Sequence, residues 1–329
     1  VNGLLEAYTV NQARVYQLKK QITEGSLDLW VAITLGAAFS QTLRTALERR
    51  LANTELMAIE AASVRFCFAV PFAWLYVAYL GINNFEFPNI NYAFIGYVFS
   101  GALPQIFGTF FLLRAFETRN FTVGTAYSKT ETMQIVVFGL LLLGETITWS
   151  AFVGILVSFF GVLLLSSRQG WRQILSQGPG LAGWFGIATG ACFGLAAVCY
   201  RAASLSLPEG EFFIRAAMTV ATATTIQMIV MVLYLGFWGP KLYGEKNSII
   251  RVARTWRSSV WVGLAGMIAS TGWFTAMTIE KAALVRALGQ IELLFTLLFT
   301  IFLFRERISA IELTGSAFIV FGLLVLVLY

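Results

Sequence analysis

Two glutamates, Glu131 and Glu292, stand in the middle of long apolar stretches. A charged side chain at such a depth in a bilayer costs about 2.5–3.5 kcal/mol on insertion scales unless it is paired or hydrated. Groups kept at that cost are candidates to hold a proton, to bind a substrate or to fix an ion pair. The same stretches carry Glu60, Arg65, Lys129, Arg215 and Arg286. There is no histidine, so a proton exchanger built on this chain must use carboxylates. Lys129 lies two residues from Glu131, roughly on the opposite face of a helix, and is poorly placed to pair with it. Around Glu131, Gly124, Tyr127, Ser128, Gln134 and Phe138 recur at helical spacing, a mix that suits a cavity wall. Arg65 and Arg215 are candidates to meet the glutamates or a substrate carboxylate, but a fixed structural pair is the favoured role. Tyr127 and Trp273 are the aromatic candidates, Trp273 because it follows the small run Ser270-Thr271-Gly272 in an apolar segment.

The in-helix charges, Arg65, Lys129, Arg215 and Arg286 against Glu60, Glu131 and Glu292, lean positive. That balance suits an anionic or zwitterionic small molecule better than a lipophilic cation. No HExxH or GxSxG motif is present, so the chain is not expected to be an enzyme. Cys67, Cys192 and Cys199 sit inside apolar segments without metal-ligand spacing, and are read as small core residues. No metal and no cofactor is expected.

These residues need elements that cross lipid. The chain has 329 residues, 58% hydrophobic and 12% charged, against about 25% charged in soluble domains. A helix needs about 20 apolar residues to span the hydrocarbon layer. Ten stretches qualify, at about 28–47, 55–80, 91–115, 122–143, 148–166, 181–201, 210–236, 258–279, 282–304 and 309–329. They are longer and more continuously apolar than barrel strands. The expected fold is therefore an all-α polytopic membrane protein. The net charge of +6 falls mostly between these stretches, so it points to lipid headgroups and topology rather than nucleic acid. Residues 1–27 lack a sustained apolar core and are expected to form an amphipathic segment or a tail, not a cleavable signal.

Displaced by 161 positions, the chain meets itself: Glu131 falls on Glu292, Glu145 on Glu306, Gly154 on Gly315 and Gly161 on Gly322. Arg65 matches Arg215, and Trp30 and Gly36 match Trp184 and Gly190, at slightly different offsets. The expected organisation is a first five-helix repeat at 28–167, a linker at 168–179 and a second five-helix repeat at 180–329. Five is odd, so the second unit enters the membrane in the opposite sense. Inverted repeats that face each other across a midplane site are a recurrent transporter design. Lys and Arg concentrate in the connections opposite the two termini, which puts the termini outside and the 237–257 connection in the cytoplasm.

The ends of the two halves carry a family likeness. One reads GTAYSKTETMQIVVFGLLLLGETITWSAFVGILVSFFGVLLL and the other VRALGQIELLFTLLFTIFLFRERISAIELTGSAFIVFGLLVLVL. Each has a mid-membrane Glu, a boundary Glu (Glu145, Glu306) and a final helix with Gly-x6-Gly. The pattern resembles the paired EamA modules of the drug/metabolite transporter superfamily. The resemblance implies ten helices and secondary active transport by alternating access. It implies export of a small polar metabolite such as an amino acid, with nucleotide-sugar exchange or lipid-linked sugar flipping as the alternative. A receptor or assembly protein without transport is the alternative of another class. The partners implied are a small-molecule substrate, the lipid bilayer and protons. The location implied is the inner membrane of a bacterium, although the family habit of cytoplasmic termini opposes the charge pattern. Nothing in the sequence signals an oligomeric state.

Overall fold

The computed structural model describes residues 29–52, 55–118, 121–166, 180–237, 248–304 and 309–328. The N-terminal segment 1–27, the linker 168–179 and Glu306 lie outside these residues. The described residues are helical, with no strand among them.

The first half begins with α1 (residues 29–52), followed by α2 (Ala58–Cys67), α3 (Ala69–Ile82) and α4 (Tyr92–Glu117). It continues with α5 (Phe121–Ser128), α6 (Glu131–Leu143) and α7 (Trp149–Ser166). The second half holds α8 (Gly180–Ser206), α9 (Phe212–Phe237), a short α10 (Ser248–Arg254) and α11 (Trp256–Ile279). It ends with α12 (Ala282–Leu288), α13 (Ile291–Phe304) and α14 (Ala310–Leu328). Among the described residues, six helical segments are long and apolar enough to cross a membrane: Ala58–Ile82 (α2 and α3 together), Tyr92–Glu117, Gly180–Ser206, Phe212–Phe237, Trp256–Ile279 and Ala310–Leu328. Large apolar side chains point outward from several helices, among them Leu141, Trp149, Leu233, Leu313 and Phe321. Water would not tolerate so continuous a surface; acyl chains would.

Three stretches read from the sequence as single helices are broken, one at Phe68 and two at equivalent points of the repeat. The first half breaks at Lys129–Thr130 and the second at Gly289–Gln290, points that the 161-residue displacement superposes within a residue. At both, the chain tightens into three-residue hydrogen bonds: Thr130 N to Tyr127 O at 3.1 Å, and Gln290 N to Ala287 O at 3.1 Å. A short 3₁₀-like step of this kind marks a local departure from α geometry. Glu131 then falls in the first turn of α6 and Glu292 in the first turn of α13.

Glycine sets how the halves meet. A Cβ on Gly154 would stand 2.8 Å from Gly322 O, and one on Gly161 2.6 Å from Gly315 O. Residue numbers rise along α7 as they fall along α14, so these two helices run antiparallel, backbone against backbone. Small residues permit that approach where lipid supplies no hydrophobic drive between helices. Gly101 meets Tyr200 and Gly108 meets Phe193, so α4 and α8 are antiparallel too. Gly272 meets Ala37 and Gly266 meets Arg44, which makes α1 and α11 the equivalent pair.

Candidate functional site

Glu131 is 8% exposed and is engaged by Arg286 of α12. Nε of Arg286 donates to Glu131 Oε1 at 2.9 Å, and its Nη2 donates to the same oxygen. The guanidinium also lies over the Trp273 ring, 5.0 Å from its centroid. Trp273, 5% exposed on α11, donates from Nε1 to Gln41 Oε1 at 2.9 Å. Gln41 of α1 donates in turn from Nε2 to Glu292 Oε2 at 2.6 Å. A continuous series of contacts thus joins Glu131 to Glu292, through Arg286, Trp273 and Gln41. It crosses between the halves three times, at Glu131–Arg286, Trp273–Gln41 and Gln41–Glu292. The broken helices position both carboxylates at the start of a helical segment, where the unpaired N–H groups and the helix dipole favour negative charge.

A second polar group lies nearby. Gln105 Oε1, next to Pro104 inside α4, accepts from Tyr200 Oη at 2.8 Å and from Gln227 Nε2 at 2.6 Å. The Tyr200 ring packs on Phe274, the neighbour of Trp273, with centroids 4.4 Å apart. One turn beyond Gln105, Thr109 accepts from Arg65.

Of the residues singled out in the sequence, Glu131, Glu292, Arg286 and Trp273 are brought into one network. The others are not. Arg65 meets Thr109 rather than either glutamate. Arg215 has a shielded Nε without an acceptor, and no ion pair for Lys129 occurs among the described residues. Tyr127 packs its Cβ against Gly186 of α8 instead of reaching the network. The small-polar face expected to line a cavity is a helix contact: a Cβ on Gly190 would stand 2.9 Å from Ser128 O and from Glu131 N. The glycines at 186, 190 and 194, four residues apart, are the signal for that close approach.

Glu60 is a structural anchor. It is fully buried, accepts from Met57 N at 3.1 Å and pairs with Arg251 Nη2 at 2.5 Å, tying α10 to the start of α2. Glu145 pairs with Arg201 at 2.6 Å, and Arg201 also donates to the carbonyls of Met277 and Glu280. Trp184, at 62% exposure, faces outward, as an interfacial anchor does. One member of the network escaped the sequence reading. Gln41 carries a weak signal: with Arg44 and Glu48 it forms a polar stripe along an otherwise apolar helix.

The chain was compared with known proteins. A family model described as the EamA-like transporter family matches residues 28–167 and again residues 181–328. No curated protein matches the chain. Among solved structures, the crystal structure of a protein 14% identical superposes with a TM-score of 0.65. The match covers 92% of this chain and 98% of that one, and shows a shared fold alone.

Proposed function

The chain belongs to the EamA-like transporter family, and from that premise we propose that it moves a small polar metabolite, such as an amino acid, across the bilayer by alternating access. The reading takes ten crossings, with α2–α3, α5–α6 and α12–α13 each forming one, and takes the second half as the inverted copy of the first. The antiparallel pairing of α7 with α14 supports it, because those two helices are repeat counterparts.

The observation that carries the reading is the network from Glu131 to Glu292. Carboxylates at repeat-equivalent breaks in two helices form a site of the sort that discontinuous helices build near the midplane. The contacts between them are made by residues of both halves, so rocking one half against the other must remake them. A proton or a substrate that alters either carboxylate then biases that motion. Export is the proposed direction, with the 237–257 connection cytoplasmic.

Flux in proteoliposomes tests this. Purified protein should support saturable uptake of a labelled amino acid that responds to an imposed pH difference. Saturable uptake indifferent to pH would remove the proton from the mechanism, and no uptake across the amino acids would remove that cargo. For orientation, a Cys placed at the exposed Ile249 of α10 should resist impermeant reagents in intact cells. Labelling there would reverse the topology.

A further inference from the structure

Four arginines in the helices have carboxylate partners: Arg114 with Glu117, Arg286 with Glu131, Arg201 with Glu145 and Arg251 with Glu60. Arg44 and Arg65 differ. Their stems converge on α11 at Gly266, where a Cβ would stand 3.3 Å from Arg44 Cδ and 3.8 Å from Arg65 Cβ. Neither makes an ion pair among the described residues. Glu48, a turn along α1 from Arg44, pairs with neither. Arg65 donates to Thr109 Oγ1 and lies 4.5 Å from the centroid of the Phe66 ring. Among the described residues Arg44 donates only to Thr45 Oγ1, at 3.4 Å, a long contact. In both residues Nε is shielded from solvent and has no acceptor. Arg215 shares that orphaned Nε.

Two half-buried like charges that share a neighbour repel each other and have lost part of their hydration. Glu48 acts on Arg65 through space without a direct contact, so the two guanidiniums have donors to offer a further anion. A guanidinium offers a planar fork of N–H donors that fits the paired oxygens of a carboxylate or phosphate. The location also fits a passenger. Arg44 is three residues from Gln41 on α1, and Gly266 is seven residues from Trp273 on α11. Both intervals keep to one helix face and put the arginines about 10 Å along α11 from the Trp273–Gln41 contact, at about 1.5 Å per residue.

We propose that Arg44 and Arg65 together hold the anionic group, a carboxylate or phosphate, of the transported solute. The inference rests on the transport reading for its consequence, since it gives the cargo an acidic group, but the binding itself is separable from flux.

The test uses full-length protein in phosphatidylcholine nanodiscs, scanned for thermal unfolding at matched ionic strength. The probes are succinate, inorganic phosphate and neutral succinamide. Succinate or phosphate should raise Tm by about 2–4 °C and succinamide should not. The rise should vanish in Arg44→Gln and in Arg65→Gln. Without oxyanion, Arg44→Gln should unfold at a higher temperature than the parent, because the repulsion is gone; a merely structural arginine would give the opposite sign. Equal shifts in parent and variants, or none with either oxyanion, would overturn the subsite. If phosphatidylglycerol in the nanodisc abolishes the shift, the site takes a lipid headgroup and the cargo assignment falls. Oxyanion binding without flux rejects transport alone, while flux without binding rejects the subsite alone.

Discussion

Glu131 and Glu292 occupy the same place in the two halves, yet their surroundings differ. Each starts the second segment of a broken helix. Glu131 is bound by a guanidinium through two donors to one oxygen. Glu292 is met by the neutral amide of Gln41, and no cation pairs with it among the described residues. The difference traces to one position. Arg286 is the repeat counterpart of Thr125, so the second half supplies a cation that the first half has no means to return. Duplication gave two equal carboxylates, and one arginine made them unequal. Removing the charge of Glu131 would strand the Arg286 guanidinium, whereas the partner of Glu292 is neutral. On the transport reading we propose Glu292 as the carboxylate that couples the motion to protons, and Glu131 as the one that fixes Arg286 under Trp273.

The largest test of this contrast is Glu131→Gln. It leaves Arg286 as a mostly buried, uncompensated charge, which should cost about 3 kcal/mol in unfolding experiments. The variant should still insert but lose coupled flux. Adding Arg286→Thr should recover more than half of the stability, and a double-mutant cycle without coupling would refute the pair. Next is Trp273→Phe. It keeps a ring over Arg286 but deletes the donor to Gln41, for a loss of about 1 kcal/mol. Glu292→Gln comes third, shifting stability by less than about 1 kcal/mol while making flux insensitive to pH. Flux that retained its pH response in this variant would return the cycling role to Glu131. Smallest is Lys129→Gln, within about 0.5 kcal/mol of the parent, since no ion pair holds Lys129 among the described residues.

Some of this was legible in the residues. The all-helical architecture follows from apolar runs too long for anything else, and the duplication from identities that survive a single displacement. The family followed from Glu145, Gly154, Gly161 and their counterparts, because motif and spacing are properties of the chain. What the chain could not display is which residues from distant segments meet. Arg286 and Glu131 are far apart in sequence, and only the packing of α12 on α6 makes them partners. The breaks at Lys129–Thr130 and Gly289–Gln290 were hidden for a different reason. Lys, Thr and Gln are ordinary helix residues, and Gly289 is the sole weak mark. The face around Gly124 and Ser128 was read as open to a cavity because small and polar residues fit either use. The glycines of α8 decided between them.

The contact between α7 and α14 is self-complementary. Gly154 meets Gly322 where Gly161 meets Gly315, which is the reciprocal pattern of a two-fold dimer interface. Two separate five-helix chains, inserted in opposite senses, would make the same contact with no covalent join. Fusion into one polypeptide then contributes proximity rather than new chemistry, raising the effective concentration of one half for the other. It also frees each half to diverge, and an arginine present on one side alone is what such freedom permits.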